Sequence, residues 1–133
     1  MSKSAIYMAD TASNTVAVGQ IVPFGSTIRR FGCNLMGNGN AVDVRGSGYY
    51  RVSFNATITP SAAGTAVVAL QRNGQSVQGA TASITAAAAA QPQTAAFTAL
   101  IRECGCACDS ALTVVLTGAD SVVTNAAIEV EKL

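Results

Sequence analysis

The chain contains no histidine. That removes the Ser-His-Asp and Cys-His catalytic arrangements and the commonest metal ligand together. Tryptophan is missing as well, and only three tyrosines and four phenylalanines are present. Glycan sites that rely on exposed stacking aromatics are poorly served by such a set. Charge is the third scarcity: 11% of the 133 residues are charged, against about 25% in an ordinary soluble domain. The formal net charge is +1 and Arg29-Arg30 is the lone adjacent basic pair, which excludes an electrostatic footprint for nucleic acid or an anionic membrane. No apolar run approaches the roughly 18 residues of a membrane span. Residues 1–20 hold no apolar stretch behind a basic start, so the chain reads as soluble and without an export signal.

Between Arg72 and Arg102 there is no ionisable charge at all. A surface so poor in charge keeps a lone subunit soluble with difficulty. The run is therefore expected to be packed in the core or covered by another copy of the chain, which points to homo-oligomerisation.

What the chain does have is extended, alternating sequence. In Gly48-Tyr49-Tyr50-Arg51-Val52-Ser53-Phe54-Asn55-Ala56-Thr57-Ile58, Tyr50, Val52, Phe54, Ala56 and Ile58 share one side and polar residues the other. That is the pattern of a half-buried strand. Ala66–Arg72 places Val68 and Leu70 inward, and Asn73-Gly74 predicts a two-residue type I′ hairpin to a returning strand over 76–82. Strands are also predicted over Thr15–Phe24 and over Ile28–Leu35 (with Arg29, Phe31, Cys33 and Leu35 as its buried set), and at 41–45. Later ones run from Thr94 to about Cys104, at Ala111–Thr117 with Leu112, Val114 and Leu116 inward, and at Val122–Leu133 with Ala126, Ile128 and Val130 inward. The alanine run 86–90 favours helix by propensity, but it is short and runs into Pro92, so strand and then loop are predicted there. Residues 1–14 read as an arm whose bulky cluster, Ile6, Tyr7 and Met8, docks or links to a neighbour. One domain over 15–133, all-β, with eight to ten short antiparallel strands in a sandwich or barrel, is the resulting expectation.

In order, these features resemble the jelly-roll domains of the tumour-necrosis-factor superfamily and the globular heads of complement's first component, in the compact form seen in bacterial and bacteriophage members. The residues that carry the resemblance are Gly48, Tyr50, Val52 and Phe54, the strand ending in Leu70-Gln71-Arg72-Asn73-Gly74, the late strand at 112–117 and the terminal Ile128-Glu129-Val130-Glu131-Lys132-Leu133. Valine stands at 52, and no collagen-like repeat precedes the domain. The resemblance implies a two-sheet jelly roll, a tight homotrimer with one apolar flank of each subunit turned to the threefold axis, and a core on Tyr50, Val52, Phe54, Leu70, Leu112, Val114, Leu116, Ile128 and Val130.

Four cysteines remain: Cys33, and Cys104, Cys106 and Cys108 in Glu-Cys-Gly-Cys-Ala-Cys-Asp. On a strand the last three would point the same way about 6.5–7 Å apart, too far for neighbours to bond. A bond to Cys33, cross-links between copies, a bond within the cluster if Gly105 lets the segment turn, reduced buried thiols and a zinc thiolate site all stand open. The carboxylates Asp43, Glu103, Asp109 and Asp120 lie in or beside turn residues, where capping is the ordinary role. Their spacing supplies no glycosidase pair and no legible calcium loop. No cofactor, metal or catalytic residue is assigned, and the chain is read as a non-enzyme. The function expected is a structural, self-assembling jelly-roll subunit of a virion fibre, a capsid decoration, or a bacterial surface or spore appendage. Its partners would be copies of itself and a capsid or surface anchor protein, and its place an extracellular particle or surface. The alternative is a head that binds a receptor or glycan through loops at 37–40, 61–64 and 118–125.

Overall fold

Alternation at a period of two becomes ten strands in the computed structural model, which describes residues 3–88, 91–103 and 110–133. They are β1 (Ala5–Val16), β2 (Ser26–Phe31), β3 (Leu35–Gly37), β4 (Val42–Val44) and β5 (Gly48–Pro60), followed by β6 (Gly64–Arg72), β7 (Gln75–Ala86), β8 (Gln93–Glu103), β9 (Ser110–Thr117) and β10 (Ser121–Lys132). The first sheet has the order β2-β1-β10-β5-β8 and the second β3-β4-β9-β6-β7. Every named pairing is antiparallel. Only β1 to β2, β3 to β4 and the β6–β7 hairpin join neighbours within a sheet, while the other six connections cross between the two. This is a two-sheet jelly roll, and among the described residues it contains no helix.

β5 lies inside the first sheet, between β10 and the edge strand β8, and alternates cleanly. Tyr50, Val52, Phe54, Ala56 and Ile58 are all buried, with Phe54 stacked on Phe97 of β8 at 5.3 Å between ring centroids and tilted against Phe24 at 6.2 Å. Ile128 and Val130 of β10 extend the same inner face, and Leu70 of β6 with Leu112, Val114 and Leu116 of β9 form the facing layer, each wholly buried. Tyr50 is the one core aromatic with a polar end. Its hydroxyl donates to the carbonyls of Arg45 and Gly46, both at 3.1 Å. Burial first, then the nearby Glu103 carboxylate and Cys33, push its phenol above the ordinary tyrosine value. A raised phenol contributes stability below the ordinary tyrosine pKa of about 10 and loses it as pH climbs through the raised value. Tyr50→Phe is therefore expected to cost about 1 kcal/mol at neutral pH and to show a shallower alkaline loss than the wild type. Denaturant melts from pH 7 to 11 check both.

The turns follow their residues. Asn73 and Gly74 both take positive φ, 52° and 82°, as a type I′ turn demands. Gly118, between β9 and β10, has φ +92°, and a Cβ there would run into the Thr65 carbonyl oxygen. Gly118→Ala combines left-handed strain with a backbone clash and is expected to cost about 1–3 kcal/mol. A thermal melt that superimposes on wild type would refute the need for glycine.

Three expectations are corrected. Residues 5–14 are not an arm: they form most of β1, inside the first sheet between β2 and β10. Ile6 and Met8 are each 1% exposed in the subunit's own core, so among the three bulky residues only Tyr7 faces out. The strand expected over 15–24 is the end of β1 followed by a connection, where Ile21 makes a single bridge to Val115. The strand over 28–35 is shorter and shifted, as β2 is an edge strand exposed along its length and Phe31 points to solvent. Its alternation carried no information because an edge strand has no second layer to select a side. Ala86 closes β7 and residues 87–88 bend away, whereas 89–90 lie outside the described residues.

Candidate functional site

The cysteine cluster expected to carry cross-links, Cys104, Cys106 and Cys108, lies outside the described residues, as does Asp109. Cys33 is an exposed free thiol. The remaining carboxylates do not converge. Asp120 Oδ1 accepts from the Val18 amide at 2.8 Å, and its carbonyl accepts from the amide and hydroxyl of Ser61 at 3.0 and 2.9 Å. Asp43 sits apart on β4. Two of the loops considered for recognition, at 61–64 and 118–125, are thus tied together at Ser61 and Asp120, and 121–125 belong to β10. The Asn38 turn is held instead by its own side chain and by Phe24 and Gly25, which donate to the Gly39 carbonyl. Among the described residues no group of three or more histidine, cysteine or acidic side chains stands together as a metal site. No helix among them is long and apolar enough to cross a membrane.

Glu103 is the exception to capping. It ends β8 on the inward side, only 1% exposed, and joins the two sheets. Ser110 Oγ of β9 donates to its Oε2 at 2.7 Å, Arg72 Nη2 of β6 lies 3.1 Å from its Oε1, and Arg72 Nε donates to Ser110 Oγ at 3.1 Å. The ion pair supplies what Oε1 otherwise lacks, since no well-angled hydrogen bond reaches that atom. Counting by twos from Phe97 through Ala99 and Ile101 would have put Glu103 inward. This network is a clamp at one end of the sandwich.

The feature with functional content is a surface. On the outer face of the first sheet the register sets side chains in cross-strand rows. One row is Phe31–Ala5–Glu131–Arg51–Leu100 and the next Arg29–Tyr7–Glu129–Ser53–Thr98. Arg51 and Glu131 are ion-paired. The rows beyond are small and neutral: Ala9–Ala127–Asn55–Ala96, Ser13–Thr124–Thr57–Thr94, then Thr15–Val122–Thr59. Half of this face thus carries no charge. The uncharged run between Arg72 and Arg102 forms all of β7 and β8 as far as Ile101, the edge strands of the two sheets, so this edge of the sandwich is neutral except at the end where Arg72, Arg102 and Glu103 lie. Through β8 that edge is continuous with the neutral half-face.

Two depressions interrupt it. A hole of about 300 Å³ on the outer face is bounded by Ala5, Ile6, Tyr7, Arg29, Phe31 and Glu129. A cleft of about 610 Å³ at the opposite edge lies between the β6–β7 hairpin (Arg72, Asn73, Gln75, Ser76) and Leu100 and Arg102 of β8. Tyr7 and Phe31, 40% and 61% exposed, flank the hole, while Leu100, 58% exposed, stands at the opposite edge.

The architecture is that of the tumour-necrosis-factor-like and complement-head-like jelly rolls. Among solved structures the chain is similar to murine APRIL (TM-score 0.75, 14% identity, covering 99% of this chain and 100% of that one). It is similar also to the globular domain of zebrafish complement 1qA (TM-score 0.68, 11% identity, 97% and 95% covered) and to the PRD1 vertex protein P5 (TM-score 0.58, 12% identity, 98% and 96% covered). At such identities what is shared is the fold. No family model matches the sequence, and no curated protein does.

Proposed function

We propose that the chain is a structural, self-assembling jelly-roll subunit. Three copies surround an axis lying in front of the outer face of the first sheet. The trimer serves as a building block of a virion fibre or capsid decoration, or of a bacterial surface or spore appendage, and is held there by a capsid or surface anchor protein. The observation that carries the reading is the neutral surface running from the β7–β8 edge onto half of that face. Threonine, serine and alanine in flat rows let a second backbone approach closely without desolvating charge. The likeness in fold to a vertex protein supports the virion setting. Electron microscopy of the purified protein tests the proposal: threefold-symmetric globules or fibres built from them are expected, and a field of single-subunit particles contradicts it.

A recognition head is the second reading, and the cleft beside Arg72 and Arg102 is what favours it. The Arg102 guanidinium with amide and hydroxyl neighbours suits a carboxylate-bearing sugar. Specific signal on a glycan array, abolished by Arg102→Ala, would put this reading first.

A further inference from the structure

We propose that the hole on the β2–β1 side of the outer face binds a single neutral sugar ring, seated between Tyr7 and Phe31 and hydrogen-bonded by Arg29 and Glu129. The register builds the hole. Ala5 stands between Phe31 and Glu131 in one row, and Tyr7 between Arg29 and Glu129 in the next. Phe31 and Tyr7 are therefore diagonal neighbours, about 7–8 Å apart along the ladder, and no ring contact joins them among the described residues. Only the alanine methyl lies between. The space left is about 300 Å³, at the lower end of the range for small-molecule sites, so it takes one ring and not a chain. Both rings in its wall are exposed and offer apolar faces against which the C–H face of a sugar can pack.

Charge narrows the ligand. Arg29 and Glu129 flank Tyr7 from opposite sides, two strand spacings or about 10 Å apart, and neither has an ion-pair partner among the described residues. The guanidinium only donates and the carboxylate only accepts. A hydroxyl does both, so a ring carrying several hydroxyls satisfies the two at once. One positive and one negative group at the rim cancel, and Arg51 and Glu131 beside them are already paired, which favours a neutral ligand over an ion. The hole is complete within one subunit and lies in the charged half of the face, outside the neutral rows on which self-association rests. The proposal rests on the recognition reading, but with another ligand and another place than the cleft beside Arg102.

Saturation-transfer NMR on the full-length protein tests this, with glucose, galactose, mannose and N-acetylglucosamine as neutral probes and N-acetylneuraminic acid as the anionic one. At least one neutral sugar is expected to receive saturation, most strongly at the ring protons of its apolar face, with a dissociation constant on the order of a millimolar. Phe31→Ala removes one wall and is expected to weaken binding at least about tenfold; Arg29→Ala removes the donor and should weaken it in the same direction. Both positions lie on β2, exposed along its length, so each variant is expected to melt as the wild-type fold does, and either one suffices if the other misfolds. Arg102→Ala should leave the neutral-sugar signal unchanged. No transfer to any neutral sugar, or transfer that survives both β2 substitutions, overturns the site. If only N-acetylneuraminic acid responds, and Arg102→Ala abolishes that response, the hole is overturned while recognition at the cleft stands.

Discussion

Arg72→Met is expected to destabilise the folded subunit by about 3–5 kcal/mol, the range for removing one partner of a buried ion pair. The substitution keeps most of the aliphatic stem that lies along the β6–β9 seam, so packing changes little. What it strands is Glu103, whose side chain has no exposure and would retain only the Ser110 hydroxyl. The reverse change is milder because the arginine side chain is about one-third exposed, 32%, and turns to water when its partner goes. Glu103→Gln should therefore lose only about 1–2 kcal/mol. Urea titrations at pH 7, at one protein concentration, measure the difference. Equal losses for the two variants would mean that the pair is not buried as described.

Phe54→Ala should be as damaging, at about 3–5 kcal/mol. The ring is 1% exposed and stands between Phe24 and Phe97, so its removal takes away buried apolar area and two aromatic contacts and leaves a cavity where the sheets meet. Phe54→Leu keeps most of the apolar volume and should lose distinctly less, which separates cavity formation from the loss of aromatic geometry. The site also matters for assembly. β5 presents Arg51, Ser53, Asn55 and Thr57 to the outer face, so loosening its inner side blurs the flat rows on its outer side. If Phe54→Ala melts within 1 kcal/mol of wild type, the strand is not the centre of the core.

Much of this was legible in sequence because burial on one face imposes a period of two. Tyr50 to Ile58, Val68 and Leu70, and Leu112 to Leu116 each alternate against a buried layer, and each lies wholly inside. Asn73-Gly74 declared its turn because few other pairs tolerate two positive φ values in succession. Legibility fails where one face is not enough to decide. Ile6 and Met8 lie on a strand whose other residues are small and polar, so nothing local distinguishes a strand from a loose arm. Only pairing with β10, more than 100 residues away, fixes it. Phe31 misled because an aromatic on an edge strand has the same local signature as one in a core. Glu103 was hidden by its residue type, since a charged side chain is seldom placed inward without sight of the arginine that meets it. The surface site was half visible. The missing charge between Arg72 and Arg102 marked the flank, but its continuity with the rows of β1 and β10 depends on a register that no single strand encodes.

Sedimentation equilibrium of the purified protein under non-denaturing conditions bears most directly on the whole account. A mass of three chains, independent of concentration down to the low micromolar range, is the predicted result. A single-chain mass across the same range would leave the neutral edge and half-face open to water, and would contradict the assembly role drawn from them.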